Sequence, residues 1–224
     1  MEEFISFIGF LEVFRKASFL LEAKGETKMK KFNTRTLAKI AVLGAVAFVI
    51  MLLEFPLPFV PSFYKLDFSE TAVLIGGFAL GWLPAVCIEA LKIVLNLLFT
   101  GSTTAYVGEL ANFLIGCSFV VPAAVIYGKN KSRSTAVKGL LAGGLCMIVV
   151  GALMNGLVLL PAYSYFYHMP MEVLIGMGSA LIPAIQDRLT FVLFATVPFN
   201  LVKAVLVSVL TMLLYKRVSP LLHR

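Results

Sequence analysis

Six stretches of this chain are apolar for long enough to cross a lipid bilayer, and that pattern restricts its fold more than any other feature. Crossing the hydrocarbon core takes roughly 20 mostly apolar helical residues at about 1.5 Å each. Residues 36–53, 66–81, 84–99, 107–127, 136–160 and 196–215 meet this to within a few positions. Only Gly81-Trp82-Leu83-Pro84 separates the second from the third, and such Gly/Pro punctuation predicts a tight re-entry rather than one long helix. Of the 224 residues, 60 % are apolar and 14 % charged, against roughly 45–50 % and about 25 % in a soluble domain. Too few polar side chains remain to coat a water-soluble enzyme. Disorder, a collagen-like rod and a disulfide scaffold are excluded by the same composition. The expected fold class is an all-α polytopic membrane protein of six transmembrane helices.

Charge placement gives a direction. Eight Lys/Arg residues (Arg15, Lys16, Lys24, Lys28, Lys30, Lys31, Arg35, Lys39) precede or open the first segment. Lys129, Lys131, Arg133 and Lys138 lie between the fourth and fifth, and Lys216, Arg217 and Arg224 follow the sixth. With six spans, fifteen of the nineteen cations fall on one side, so the positive-inside rule puts both termini in the cytoplasm. The net charge of +7 is therefore read as topology, not as affinity for nucleic acid.

Residues 1–28 mix an apolar run with Glu2, Glu3, Glu12, Arg15, Lys16 and Glu22, and lack the basic start and cleavage site of a signal peptide. They read either as an amphipathic helix on the membrane surface or as a non-functional extension ahead of Met29-Lys30-Lys31. Residues 29–224 form one membrane domain. Cys87, Cys117 and Cys146 sit singly in apolar runs and read as small apolar side chains.

Once each span has a direction, its polar residues acquire a depth. Asp67 and Glu70, Lys92 and Asn96, Glu109 and Asn112, Asn155, and Asn200 with Lys203 all fall between mid-depth and the outer face, on five different spans. Lys92/Asn96 are spaced i, i+4, while Glu109/Asn112 and Asn200/Lys203 are spaced i, i+3, so each pair shares a helical face. A charge at mid-bilayer costs about 2.5–3.5 kcal/mol on the mildest scale, so such groups face a cavity or a partner. A binding site open to the outside is expected. The alternative is interhelical hydrogen bonding, and for Glu89, in the inner half, a salt bridge to Lys92 is the better reading. The loop from Glu54 to Lys65 carries three prolines and four aromatics, Phe63 and Tyr64 among them. It suits either a stiff lid over a flat apolar ligand or an aromatic belt at the interface. For Tyr163-Ser-Tyr-Phe-Tyr-His168 the belt is the better reading. In the first span Leu37, Ala41, Ala45 and Val49, with Gly44 beside them, form a small-residue stripe suited to close helix packing, internal or with a partner.

Catalytic signals are absent. There is no phosphate-binding Gly-x-x-x-x-Gly-Lys-Ser/Thr loop, no His-Glu-x-x-His, no Gly-x-Ser-x-Gly, and only two histidines. Carboxylates alone would have to carry catalysis, and no inward-facing pair of them is expected. Neither a metal nor a cofactor is called for.

Five strings in order, Phe55-Pro-Leu-Pro-Phe-Val-Pro61, Lys65-Leu-Asp-Phe-Ser-Glu70, Ala111-Asn-Phe-Leu-Ile-Gly116, Asn155-Gly-Leu-Val-Leu-Leu-Pro-Ala-Tyr163 and Val197-Pro-Phe-Asn-Leu-Val-Lys203, resemble the RibU family. These are the riboflavin-specific substrate-binding (S) components of energy-coupling-factor (ECF) transporters. The resemblance, from about Lys30 to the C-terminus, implies a six-helix membrane fold that takes riboflavin from outside without enzymatic activity. It also implies an ECF module of a transmembrane coupling protein and two cytoplasmic ATPases. Riboflavin would be cargo, not a cofactor. The family's binding residues fall here on Asn155, Asn200 and Lys203, with Asp67 and Asn112, and Lys92 with Asn96 fits a Lys…Asn pattern. Glu109, Leu66, Tyr64 and Phe63 complete the expected site, and Ala41 and Ala45, with Leu37 and Gly44, the docking stripe. The chemistry agrees, since an amide offers donor and acceptor to a uracil-like ring edge and Lys donates to a carbonyl. Six acids against four cations in the outer half argue against a strongly anionic ligand. The rival readings are a stand-alone ion-coupled transporter of another neutral solute, a membrane enzyme on a lipid-like substrate, and a purely structural subunit.

Overall fold

The computed structural model describes residues 33–102 and 106–222. The chain divides into Met1–Arg35 and Thr36–Arg224. Residues 1–28, expected to be an extension, lie outside the described residues, and the second unit holds the apolar helices.

Helix α1 (Thr34–Met51) leads into a loop whose ends pair as two short antiparallel strands, β1 (Phe55–Pro56) and β2 (Lys65–Leu66), with Phe55 opposite Leu66. Next come α2 (Ser69–Leu80), α3 (Trp82–Thr100) and α4 (Val107–Lys129). Helix α5 runs through Arg133–Met154, a wide π turn at Asn155–Leu159, and Leu160–Phe166. The short α6 (Met171–Ser179) precedes α7, which is built of Arg188–Phe191, a second π turn at Val192–Thr196, and Val197–Leu222. Among the described residues, five of these helices are long and apolar enough to cross a membrane, and α2 is a shorter apolar one.

Helix α2 explains how a short, partly acidic segment can live among the others. Its 12 residues rise only about 18 Å, because Lys65–Leu66 at the start of the expected second span is extended and paired with the loop. Every residue from Ser69 to Phe78 is buried, and the helix packs on α3, α4 and α7. It has little lipid-facing surface to satisfy, so its pattern is apolar all round. The expected re-entry is present: Gly81, at φ 102°, joins α2 to α3 in a backbone region that favours glycine.

Two boundaries differ from the sequence reading, each through a cap. Helix α5 starts at Arg133 because the Ser132 hydroxyl accepts the Thr135 N–H (3.2 Å), and it runs on to Phe166. Helix α7 starts at Arg188, not near 196, through a reciprocal box in which Thr190 N–H donates to the Asp187 carboxylate (2.8 Å) and Asp187 N–H to the Thr190 hydroxyl (2.9 Å). Helix α6 was not expected at all.

Bare glycine faces bring α4 and α5 together. A Cβ at Gly143 would collide with the Phe119 carbonyl, and one at Gly139 would lie 2.8 Å from the Ala123 oxygen. This is the small-residue contact that lets helices approach closely in lipid. The three cysteines are unpaired.

Candidate functional site

The candidate side chains gather near the end of the bundle that carries the β1–β2 loop. Part of the loop folds down onto the helices, where Val60 and Tyr64 are buried with Leu66, Leu160, Ile185, Phe191, Val192 and Phe199, while Phe55 and Phe59 stay exposed. Phe63 lies parallel to the Phe191 ring at 6.3 Å and meets Tyr163 edge-on at 5.8 Å. Phe63 and Tyr64 turn inward as a lid requires, and Phe55 and Phe59 stay exposed as a belt requires. Tyr165, Phe166, Tyr167 and His168 are exposed, as an interfacial belt requires.

The candidate residues fall into two polar clusters. In the first, the Tyr64 hydroxyl donates to Asn155 Oδ1 at 2.8 Å and shares a 2.6 Å hydrogen bond with the Thr196 hydroxyl. Asn155 and Thr196 belong to the two π turns, so the widened turns of α5 and α7 present their polar groups to the same ring. Each asparagine also folds back on its own helix: Asn155 Nδ2 donates to Gly151 O (2.8 Å) and Asn200 Nδ2 to Thr196 O (3.1 Å). One N–H and one lone pair of Asn155 remain, and more of Asn200, none of it spent on another described residue.

The second cluster is ionic and buried. Lys203 Nζ lies 2.9 Å from Asp67 Oδ2 and 3.1 Å from Glu70 Oε1. Lys92 Nζ lies 3.3 Å from the same Glu70 oxygen, 2.7 Å from Glu89 Oε1 and 3.1 Å from Ser69 Oγ. Asp67 Oδ1 accepts the Ser69 N–H (2.8 Å), an Asx turn that opens α2. Lys92 and Glu89 are 0 % exposed, which is tolerable at membrane depth only because the charges are paired. The Lys92–Glu89 contact is the expected salt bridge, though its direction leaves both Glu89 oxygens without a formal hydrogen bond. The expectation of no inward-facing pair of carboxylates is corrected: Asp67, Glu70 and Glu89 come together inside the bundle, where Lys92 of α3 and Lys203 of α7 pair with them.

The structure thus brings together Tyr64, Leu66, Asp67, Lys92, Asn155, Asn200 and Lys203, with Phe63 above them. Asn96, Glu109 and Asn112 are only half-buried. Asn96 accepts from Thr100 (3.2 Å) and Glu109 from Ser102 (3.0 Å), each bonding locally. Thr196, which the sequence reading missed, is fully buried. Its signal was its position one turn before Asn200 on the same face. Among the described residues no group of His, Cys, Asp and Glu is arranged to hold a metal ion.

On α1, Leu37, Ala41, Ala45 and Val49 are exposed, and Ala45, Val46, Val49 and Ile50 line a shallow apolar groove of about 260 Å³. Gly44 does not belong to that stripe. It is buried, and a Cβ there would lie 2.6 Å from Leu91 Cδ2. Its bareness serves packing of α1 on α3.

With the geometry in place, comparison with known proteins decides the family. The family described as ECF transporter, substrate-specific component matches residues 35–215. The chain belongs to that family. A riboflavin transporter, FmnP, of Bacillus subtilis is 31 % identical over 191 residues, 84 % of this chain and 94 % of its relative. A riboflavin transporter, RibU, of Staphylococcus aureus is 31 % identical over 200 residues, 89 % of this chain and 98 % of its own. A solved structure described as "Structure and mechanism of the S component of a bacterial ECF transporter" superposes with a TM-score of 0.65 at 32 % identity, covering 84 % of this chain and 98 % of that one. The ECF family is one of integral membrane transporter components, not enzymes.

Proposed function

We propose that this chain is the riboflavin-capturing S component of an ECF importer. It binds the vitamin from outside and delivers it together with a transmembrane coupling protein and two cytoplasmic ATPases. The observation that carries the reading is the convergence, under an aromatic lid, of two asparagine amides with unspent hydrogen-bonding capacity and a buried lysine. Those amides suit the alternating donors and acceptors of the isoalloxazine edge, Lys203 suits a ring carbonyl, and Asp67 and Asn112 suit the ribityl hydroxyls. The apolar dimethyl end belongs against Phe63 and Leu66. Named riboflavin transporters among the relatives support the same ligand.

Six membrane crossings, with α2 as the second and both termini cytoplasmic, accompany this reading, and the exposed α1 stripe is its docking face for the coupling protein. Accessibility of single cysteines placed at residues 130 and 217 to an impermeant reagent tests the direction: both react only from the cytoplasmic side.

The decisive measurement is the visible spectrum of the detergent-purified protein and its titration with riboflavin. One flavin per chain is expected, with affinity falling in Asn200→Ala and Lys203→Ala by about 1–3 kcal/mol, the cost of leaving buried partners unpaired. A colourless protein that does not bind added riboflavin overturns the assignment. Riboflavin uptake by the chain alone in liposomes with an ion gradient and no ATP overturns the ECF mechanism in favour of a self-sufficient transporter.

A further inference from the structure

The site contains a position with no side chain of its own. Gly151, on α5 one turn before Asn155, touches both asparagines. Its carbonyl accepts the Asn155 amide at 2.8 Å. A Cβ on its α-carbon would lie 2.5 Å from Asn200 Nδ2, 3.1 Å from Cγ and 3.3 Å from Oδ1, so the Asn200 amide occupies the space that any other residue would fill. Asn200 is held in that space by its bond to Thr196 O (3.1 Å), and it is 4 % exposed.

We infer that Gly151 is the positioning residue that sets Asn155 and Asn200 side by side, and so determines recognition of a ring edge that needs both amides at once. The inference rests on the proposed riboflavin site and deepens it. The atoms a methyl group would meet are the end of a rotatable side chain, not backbone. Gly151→Ala is therefore absorbed by rotation of Asn200 away from Thr196 O and from its neighbour, leaving the helices where they are. Gly144 makes a control. It lies about two turns earlier on the same face of α5, and its Cβ would meet only Ala204 Cβ, at 3.3 Å.

The test is a riboflavin titration of full-length protein in detergent, with melting temperatures recorded alongside. Wild type must first bind one flavin; absence of binding there refutes the functional reading itself and this inference with it. Given wild-type binding, Gly151→Ala should weaken it about tenfold to hundredfold, in line with the loss of one or two buried hydrogen bonds. Gly144→Ala should bind as wild type. In an Asn200→Ala background, the further change Gly151→Ala should alter affinity less than about twofold, because residues acting through one contact are non-additive. A merely structural glycine would give additive losses in the double variant, or equal losses at Gly144 and Gly151. Either pattern overturns the inference and leaves the riboflavin assignment intact, as does unchanged affinity in Gly151→Ala or in Asn200→Ala. If Gly151→Ala does not fold, Gly151→Ser combined with Asn200→Gly, which vacates the space, is expected to fold; its failure to do so also overturns the inference.

Discussion

Replacing Lys203 with Met removes one of two cations that hold three buried carboxylates. Counted as ionised, Asp67, Glu70, Glu89, Lys92 and Lys203 carry a net charge of −1, and the substitution takes this to −2 within the bundle. Asp67 Oδ2 loses its partner at 2.9 Å, and Glu70 Oε1 keeps only Lys92 at 3.3 Å. Removing one member of a buried pair costs about 3–5 kcal/mol, because the other charge is left uncompensated. For a chain of this size 1 kcal/mol corresponds to about 2–4 °C, so the melting temperature in detergent should fall by about 6–20 °C. The cause is separable from lost packing. Asp67→Asn added to Lys203→Met returns the net charge to −1, and the carboxamide oxygen that replaces the carboxylate can still accept the Ser69 N–H that opens α2. Most of the lost stability should return in the double variant. An unshifted Lys203→Met, or a double variant less stable than the single, refutes the argument that charge balance holds this cluster together.

Tyr64→Phe leaves Asn155 Oδ1 and the Thr196 hydroxyl without their shared partner and should destabilise the protein by about 1–3 kcal/mol; thermal unfolding of Tyr64→Phe against wild type checks this. Gly143→Val drives a branched side chain into the Phe119 carbonyl and should cost at least about 1–3 kcal/mol, read as a lowered melting temperature or loss of a monodisperse peak on gel filtration. The Thr190 backbone N–H and hydroxyl hold the Asp187 carboxyl below its ordinary pKa. The cap's contribution is therefore present above the unfolded-state value and fades as pH falls through the lowered one. A carboxyl-carbon NMR titration should show Asp187 titrating below the usual aspartate range, and Thr190→Val should bring it part of the way back.

The membrane class, the Gly81 re-entry and the burial of Asp67, Lys92, Asn155, Asn200 and Lys203 could be read from the linear chain, whereas Asn96, Glu109 and Asn112, expected to face inward with them, are only half-buried. Apolar length and helical spacing are local properties, and Asn200 and Lys203, three residues apart, must share a face whatever surrounds them. The Asp187-Arg-Leu-Thr190 box was equally local, and with the apolar residues 191–195 that follow it could have placed the start of α7 ahead of the expected 196. Spacing within one helix does not reveal which face of another helix it meets. Gly44, adjacent in sequence to the exposed Ala45, turns about 100° away from it into Leu91, and only packing of α1 on α3 decides that. Partners too were beyond reach. Lys203 finds Asp67 across 136 positions and Tyr64 finds Thr196 across 132, because two π turns and a folded-down loop bring them together. The chain's chemistry alone settled that it lives in lipid and must pair its buried charges. Which carboxylate answers which lysine, and that a bare α-carbon makes room for an amide, depend on long-range helix packing, whose geometry no local periodicity encodes.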